Sequence, residues 1–322
     1  MPLFPARPQR LSPVFKPAVL DQFVPRSRTR ASQLQLTTQA SATLPPSNTR
    51  KAEHYLLFFP SLYPREWARV CPAPRKAGMD PPFEMLDKKD SRKLEMAQKL
   101  ADWTLSEMKA ANAGVAIIAR GGSHISKTQD RTWMEHSGIL MYNRKSKEWE
   151  VYNLLNDFCD QAPRCEIWRH KPLDFYYSQP NYDEDAMLLL PDANVRKKLR
   201  KAIESGAYKQ LQFTNAYNLI TRFDGQKSLN CNKWVLMNVV AARMDNYKPE
   251  AVLAEIGNTF APGEVKVCSV IRPLAKQHPT ILQTEAPLSG PINTVTAESL
   301  YRSDLFEKKL FYDPKTLKRL TG

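Results

Sequence analysis

Blocks of hydrophobic residues, each with its own period, predict the secondary structure of the middle of the chain. A helix capped by Asp90 or Ser91 is predicted to run to about Ala113, because Met96, Leu100 and Trp103 recur at the spacing of one helical face. Five apolar residues then run without interruption over 115–119, a length and composition typical of a buried strand, and a loop is predicted at 120–124. The order indicates a helix that leads directly into a sheet.

A polar turn between two alternating segments predicts a β-hairpin. Residues 136–142 form the first strand, 143–147 the turn and 149–156 the second strand. Side chains alternate between the two faces of a strand, so Asn153 falls on a face whose other members are apolar. A buried amide needs hydrogen-bond partners. Asn153 is therefore expected either in a structural network or in a functional site.

The rest of the pattern adds helices and further strands. It predicts, in order, a loop-rich segment at 157–185, a strand at 186–190, a helix from Asp192 to Gly206, a helix from Cys231 to about Met244, a helix from Pro249 to Gly257 and a strand at 265–271. The expected fold class is α+β, with a small, mostly antiparallel sheet packed against helices.

Composition divides the chain into three parts. Residues 1–80 hold twelve of the 25 prolines, together with twelve basic and four acidic side chains. We therefore expect residues 1–70 to be a disordered, basic, proline-rich tail and 71–285 to be the α+β domain. The pattern fades after 285, which predicts a poorly ordered C-terminal extension at 286–322.

Several classes of function are excluded or disfavoured by composition. Residues 1–80 carry +8 of the net charge of +14, and no nucleic-acid-binding motif accompanies them, so nucleic acid is not the expected partner. No apolar run is long enough for a transmembrane helix. The cysteines and histidines show no zinc-site spacing, and we expect neither a metal nor a cofactor.

Cys231 is the main candidate for chemistry. Asn230 is a good N-cap, which places the thiol in the first turn of the predicted helix. Free N–H groups and the positive end of the helix dipole stabilise an anion there, so we expect a lowered pKa for this thiol. The alternative is a buried structural thiol, because free cysteine is among the most buried residue types.

His136, Asn153 and Cys231 together form a candidate catalytic set. A thiol nucleophile needs a base within hydrogen-bond reach and a third group that orients the base. The alternatives are a satisfied core histidine and a buried amide network, and Asn156 and Asp157 are rivals of Asn153 for the third role. Ser137 and Asn232 flank the site, and Arg120 ends a predicted strand, where it would bind either an acidic substrate group or a structural carboxylate.

Four blocks in this order resemble known proteins: Val115–Gly121, Glu135–Gly138, Val151–Asn156 and Leu229–Trp234. They are similar to an uncharacterised bacterial family, domain of unknown function 2145. They also resemble the circularly permuted papain-like (NlpC-type) cysteine hydrolases, a group that includes the lecithin retinol acyltransferase-like enzymes.

The resemblance implies a permuted papain-like fold and a cysteine-dependent hydrolase or acyltransferase acting on an amide, ester or thioester bond. Cys231, His136 and Asn153 would be its catalytic residues, and a peptide, cell-wall or acyl compound its substrate. It also implies a periplasmic or secreted protein, although the N-terminus shows no clean signal peptide. The alternative is a non-catalytic binding or structural module of the same fold.

Overall fold

The computed structural model describes residues 80–84, 86–121, 134–157, 164–179, 184–265, 292–312 and 320–321. All of them belong to the compact unit Thr49–Gly322. The predicted tail at 1–70 lies outside the described residues, as does most of the strand predicted at 265–271.

Helices hold more than half of the regular structure in the described part of the chain. They are α1 (Ser91–Ala110), α2 (Pro172–Tyr177), α3 (Ala193–Ser205), α4 (Cys231–Met244), α5 (Pro249–Thr259) and α6 (Ala297–Arg302), with a 3₁₀ turn at Ala207–Leu211. Among the described residues, no helix is both long and apolar enough to span a bilayer.

The strands form one main sheet and one small one. They are β1 (Val115–Gly121), β2 (Met134–Asn143), β3 (Glu148–Asp157), β4 (Arg164–His170), β5 (Ala186–Leu190), β6 (Gly263–Val265), β7 (Ile292–Thr294), β8 (Lys308–Tyr312) and β9 (Leu320–Thr321). Within the described part of the chain the main sheet has the order β4-β3-β2-β1-β5-β8-β9. Every neighbouring pair in it is antiparallel. The predicted α+β class is confirmed.

The main sheet lies between two helical layers. One face packs its apolar side chains against α1 and α2, and the other face packs against α3, α4, α5 and α6. Along β2 the faces alternate, so Ile139 belongs to the α4 side and Leu140 to the α1 side. Burial of both faces explains why β1 and β5 are continuous apolar runs rather than alternating ones.

Helix α4 begins where its sequence predicts. The side chain of Asn230 accepts a hydrogen bond of 2.8 Å from the backbone N–H of Lys233. Its residues are buried from Cys231 to Ala242, as expected for a helix that is apolar on all sides. The helix ends at Asp245, which adopts the left-handed conformation.

The predicted caps of α1 and α3 are also confirmed. Asp90 and Asp192 accept first-turn N–H groups of α1 and α3, and Gly206 ends α3 with φ of +80°. Helix α1 ends at Ala110 rather than near Ala113. Strand β1 continues through Gly121, where the sequence predicted a loop.

Two segments differ from the sequence-based expectation. The loop-rich prediction for 157–185 missed β4 and α2, because buried residues on both faces of β4 hide the alternation. The prediction of a poorly ordered extension at 286–322 does not hold for 292–312, which forms β7, α6 and β8. These elements are short and rich in lysine, and pairing of β8 with β5 stabilises a strand whose own sequence signal is weak.

The β2–β3 ladder positions the candidate site. It runs from the Asn143–Glu148 pair to the Ile139–Tyr152 pair and ends there, although both strands continue. Beyond that point β2 stays paired with β1, and β3 with β4. Backbone groups of β2 at 136–138 that would face β3 are therefore available to other partners.

Candidate functional site

Asn153 connects two histidines. Its Oδ1 lies 2.8 Å from Nε2 of His136, and its Nδ2 lies 3.0 Å from Nδ1 of His170 and 3.2 Å from the carbonyl oxygen of Trp168. The Trp168 carbonyl can only accept, which fixes Nδ2 as the atom facing it. Oδ1 must then accept from His136, so the amide is fully oriented by its partners.

The orientation of Asn153 determines the tautomers of both rings. His136 donates through Nε2–H, which leaves its Nδ1 unprotonated in the neutral ring. His170 accepts at Nδ1 and donates from Nε2 to Oε2 of Glu84 over 2.6 Å. The result is one hydrogen-bonded chain in which every donor points from His136 toward Glu84.

His136 occupies a buried position on the α1–α2 side of the sheet. Its ring centroid lies 5.5 Å from that of Phe175, and the guanidinium of Arg120 lies 5.5 Å above the same Phe175 ring. Burial lowers the pKa of His136 well below 6.5, and the charge of Arg120 adds to this effect. The resting imidazole is therefore neutral.

The Cys231 thiol is buried at the first turn of α4. Hydrogen bonds from the backbone N–H groups of Ser137 and Asn232 and from the side chain of Tyr217 favour the thiolate, yet burial outweighs them and raises the pKa above 9.0. The expected lowering of this pKa is thus wrong. The helix terminus supplies donors, as predicted, but burial destabilises the thiolate by more than these donors stabilise it.

The thiol lies beside Ser137, the residue that follows His136. Backbone N–H groups of a strand point in the plane of the sheet, so a sulfur bonded to the Ser137 N–H lies beside β2, where the β2–β3 ladder has ended. The Ser137 hydroxyl also donates to Oδ1 of Asn232 over 2.7 Å. The thiol therefore has its β2 contact at Ser137, and the imidazole of the preceding residue, His136, bonds Asn153.

Comparison with known protein families shows which family the chain belongs to. Residues 107–302 match the model described as "Uncharacterized protein conserved in bacteria (DUF2145)". The chain belongs to this family. No curated protein and no solved structure matches it.

The family-matched region of this DUF2145 protein contains the three predicted site residues and His170, whereas Glu84 precedes it. Sequence reasoning missed His170, Glu84 and Tyr217. His170 lies in the segment predicted as loop, and Glu84 lies among prolines. Only the folded sheet brings His170 and Glu84 to Asn153.

The other residues named from the sequence have distinct environments. Arg120 is buried and packs over Phe175, and Ser137 pairs with Asn232. Asn156 was a rival to Asn153, but its amide is buried without a hydrogen-bond partner among the described residues. The side chain of Asp157, the other rival, is outside them.

Metal-ligating side chains do not cluster in the part of this DUF2145 chain that the structure describes. The donors around Cys231 are N–H and O–H groups, which suit an anion or a carbonyl oxygen rather than a cation. The arrangement is suited to chemistry at the sulfur.

Proposed function

We propose that this DUF2145 protein is a cysteine-dependent hydrolase or acyltransferase that acts on an amide, ester or thioester carbonyl. Cys231 is the nucleophile, His136 the general base and Asn153 the residue that orients the base. The observation that carries the proposal is the contact of the Cys231 sulfur with the Ser137 N–H. It places a thiol at the residue next to an imidazole whose Nδ1 is unprotonated.

The tautomer of His136 matches the task of a base. Asn153 binds Nε2–H over 2.8 Å, so the lone pair of Nδ1 is available to take the thiol proton. A base whose Nδ1 carried the proton would have no lone pair there. The Asn153 amide thus supports the proposal through chemistry that a simple packing role does not require.

The reaction proceeds in two steps that conserve protons. The Cys231 proton passes to Nδ1 of His136 as the sulfur attacks the carbonyl carbon, and the leaving group departs with that proton, which leaves a thioester on Cys231. Water, or an acceptor hydroxyl or amine, then gives a proton to His136 and attacks the thioester. The acyl product leaves, and the sulfur recovers its proton from His136.

The raised pKa of Cys231 and the lowered pKa of His136 define the resting state. Thiol and imidazole are both neutral, so proton transfer accompanies attack rather than preceding it. The N–H groups of Ser137 and Asn232 and the Tyr217 hydroxyl stabilise negative charge as it forms on sulfur.

Acylation by p-nitrophenyl acetate tests the proposal. We expect peptide mass spectrometry to find an acetyl group on Cys231 of the wild-type protein and none at that position in Cys231→Ala. His136→Ala should slow acetylation by roughly 10²- to 10⁴-fold, the usual range for a general base. Cys165 is an internal control, because burial raises its pKa to about 12.

The alternative, a non-catalytic module of the same fold, gives a different result. Cys231 would then stay unacetylated, and its alkylation by iodoacetamide would show the same pH dependence in the wild-type protein and in His136→Ala. That pair of outcomes would overturn the proposed activity and would assign the cluster a structural role.

A further inference from the structure

The hydrogen-bonded chain behind His136 extends beyond the residue needed to orient a base. Asn153 already holds the ring, yet its Nδ2 bonds His170, and His170 bonds the Glu84 carboxylate over 2.6 Å. The side chains of His170 and Glu84 are only 1% and 4% exposed. A buried carboxylate is costly unless it forms strong hydrogen bonds, so its position on this chain requires an explanation.

A short segment that precedes α1 places Glu84 beside His170. Residues 81–84 lie along the outer side of β4, where the Glu84 N–H donates to the Arg169 carbonyl over 3.0 Å and the Arg169 N–H donates to the Pro82 carbonyl over 2.8 Å. The Arg169 side chain adds a 2.6 Å bond from Nε to the Pro81 carbonyl and lies 4.3 Å above the Phe83 ring. The segment is thus fixed by backbone and side chain together.

The order of hydrogen-bond donors from His136 to Glu84 gives the Glu84 carboxylate a specific effect. A carboxylate can only accept, so it keeps the His170 proton on Nε2. Nδ1 of His170 then remains an acceptor, which holds Nδ2 of Asn153 toward it and Oδ1 toward His136. Without an acceptor at position 84, the His170 proton can move to Nδ1, where it competes with the Asn153 N–H and weakens the orientation of the amide.

We propose that Glu84 and His170 are positioning residues that act through Asn153 to keep Nδ1 of His136 unprotonated. The control of the tautomer stands on the hydrogen-bond geometry, whereas its effect on acylation rests on the function proposed above for Cys231. Glu84 lies outside the family-matched residues 107–302. The site of this chain is therefore completed by a segment that lies outside the matched region.

Two substitutions of Glu84 separate its charge from its role as acceptor. Glu84→Gln keeps an acceptor oxygen and removes the charge, and Glu84→Leu removes both while keeping a side chain of similar size. Removing one partner of a buried pair is destabilising, so Glu84→Leu is expected to lower stability, whereas Glu84→Gln keeps the hydrogen bond to His170. Glu150→Gln is the matched control, because Glu150 is also buried and bonds Tyr152, Asn143 and Arg169 rather than the histidines.

Ring-nitrogen NMR of histidine-labelled full-length protein measures the tautomers directly. In the wild-type protein and in Glu150→Gln we expect His136 and His170 to be protonated at Nε2 and unprotonated at Nδ1. Glu84→Gln should keep this pattern, and Glu84→Leu should give a mixture of tautomers at both rings. A variant without His136 assigns its resonances.

The rate of Cys231 acetylation is the second readout. We expect it to fall by about tenfold in Glu84→Leu with an unchanged apparent affinity for p-nitrophenyl acetate, because the base is misoriented and the substrate contacts remain. If the tautomers are as expected and wild-type Cys231 is not acetylated, the positioning role is supported and the proposed acyl-transfer activity is overturned. Either of two results would overturn the positioning role. One is a Glu84→Leu protein with a normal acetylation rate and an unchanged His136 tautomer. The other is a wild-type His136 that is protonated at Nδ1.

Discussion

Ser137 and Asn232 are joined by a 2.7 Å hydrogen bond from the serine hydroxyl to the amide oxygen. Each of them follows a candidate catalytic residue, since Ser137 comes after His136 in β2 and Asn232 comes after Cys231 in α4. The bond therefore fixes the start of helix α4 against strand β2. It connects two elements that are 95 positions apart in sequence.

Ser137→Ala should loosen this junction. It removes a fully buried hydrogen bond and leaves Asn232 with one contact fewer, a loss of about 1–3 kcal/mol in the free energy of unfolding. Urea denaturation measures this loss. We also expect faster iodoacetamide alkylation of Cys231, because the first turn of α4 opens more often. Equal stability with equal alkylation would show that other contacts hold the junction.

The stability of the protein should fall in mild acid because of His136. Its pKa is lowered below 6.5 in the folded state, so below pH 6.5 the unfolded chain binds a proton that the folded chain does not. The unfolded state then holds more protons, and the free energy of unfolding decreases as pH decreases, by at most about 1.4 kcal/mol per pH unit.

Comparison of the wild-type protein with His136→Gln isolates this contribution. Urea unfolding between about pH 7 and pH 5 should show a shallower loss of stability in the variant, which has no proton to take up at this position. All other titrating groups are common to both proteins. Parallel curves would contradict a neutral, buried His136.

Cys231 should produce the opposite dependence in alkali. Its pKa is raised above 9.0 in the folded state, so above pH 9.0 the unfolded thiol loses a proton that the folded thiol keeps. The folded state holds more protons, and stability falls as pH rises. Cys231→Ala should lessen this fall in urea unfolding. Cys165, with a pKa raised to about 12, acts in the same direction and is therefore left unchanged in both proteins.

Lys233 is a stability determinant that the sequence did not single out. It is completely buried in α4, and its Nζ donates to the carbonyl oxygens of Arg222, Gly225 and Ser228. Lys233→Met keeps the length of the side chain but leaves carbonyls of the 222–228 loop without their donor. We expect a loss of about 2–5 kcal/mol in urea unfolding. Lys248→Met, at the exposed N-cap of α5, is the matched control and should change stability little.

Local signals were enough to predict much of the fold. Cap residues and helical spacing placed α1, α3 and α4, because Asp90, Asp192 and Asn230 act through groups within three residues of themselves. Strands β1, β2 and β3 followed from apolar runs and one polar turn. Strand β4 and the C-terminal strand β8 did not, because pairing with distant strands stabilises them more than their own composition does.

The candidate site shows the same limit. Asn153 was predicted as a polar residue on an apolar face, and its bond to His136 agrees with that expectation. The chain from Asn153 to His170 and Glu84 depends on β4 and on the 81–84 segment, whose positions no local pattern gives. The pKa of Cys231 was mispredicted for a related reason, since the helix terminus is visible in sequence and the depth of burial is not.

Gly138 should be intolerant of any side chain, because it lies where β2 passes closest to Asn153. A Cβ there would be 2.7 Å from Cγ1 of Val151, 3.1 Å from Cβ of Asn153 and 3.1 Å from the Tyr152 carbonyl oxygen. Gly138→Ala therefore forces β3 away from β2, at a cost of about 1–3 kcal/mol. The displacement of Asn153 should also broaden or shift the ring-nitrogen signals of His136.

Gly257→Ala is the matched control for this prediction. In α5 the added Cβ would have its nearest neighbour at 3.7 Å, an ordinary contact with Asp224. Alanine also favours the helix over glycine, so we expect stability to rise by about 0.5–1 kcal/mol. Urea unfolding of both variants gives the comparison. A Gly138→Ala protein as stable as the Gly257→Ala protein, with unchanged His136 signals, would show that β2 and β3 can separate without disturbing the amide that orients the base.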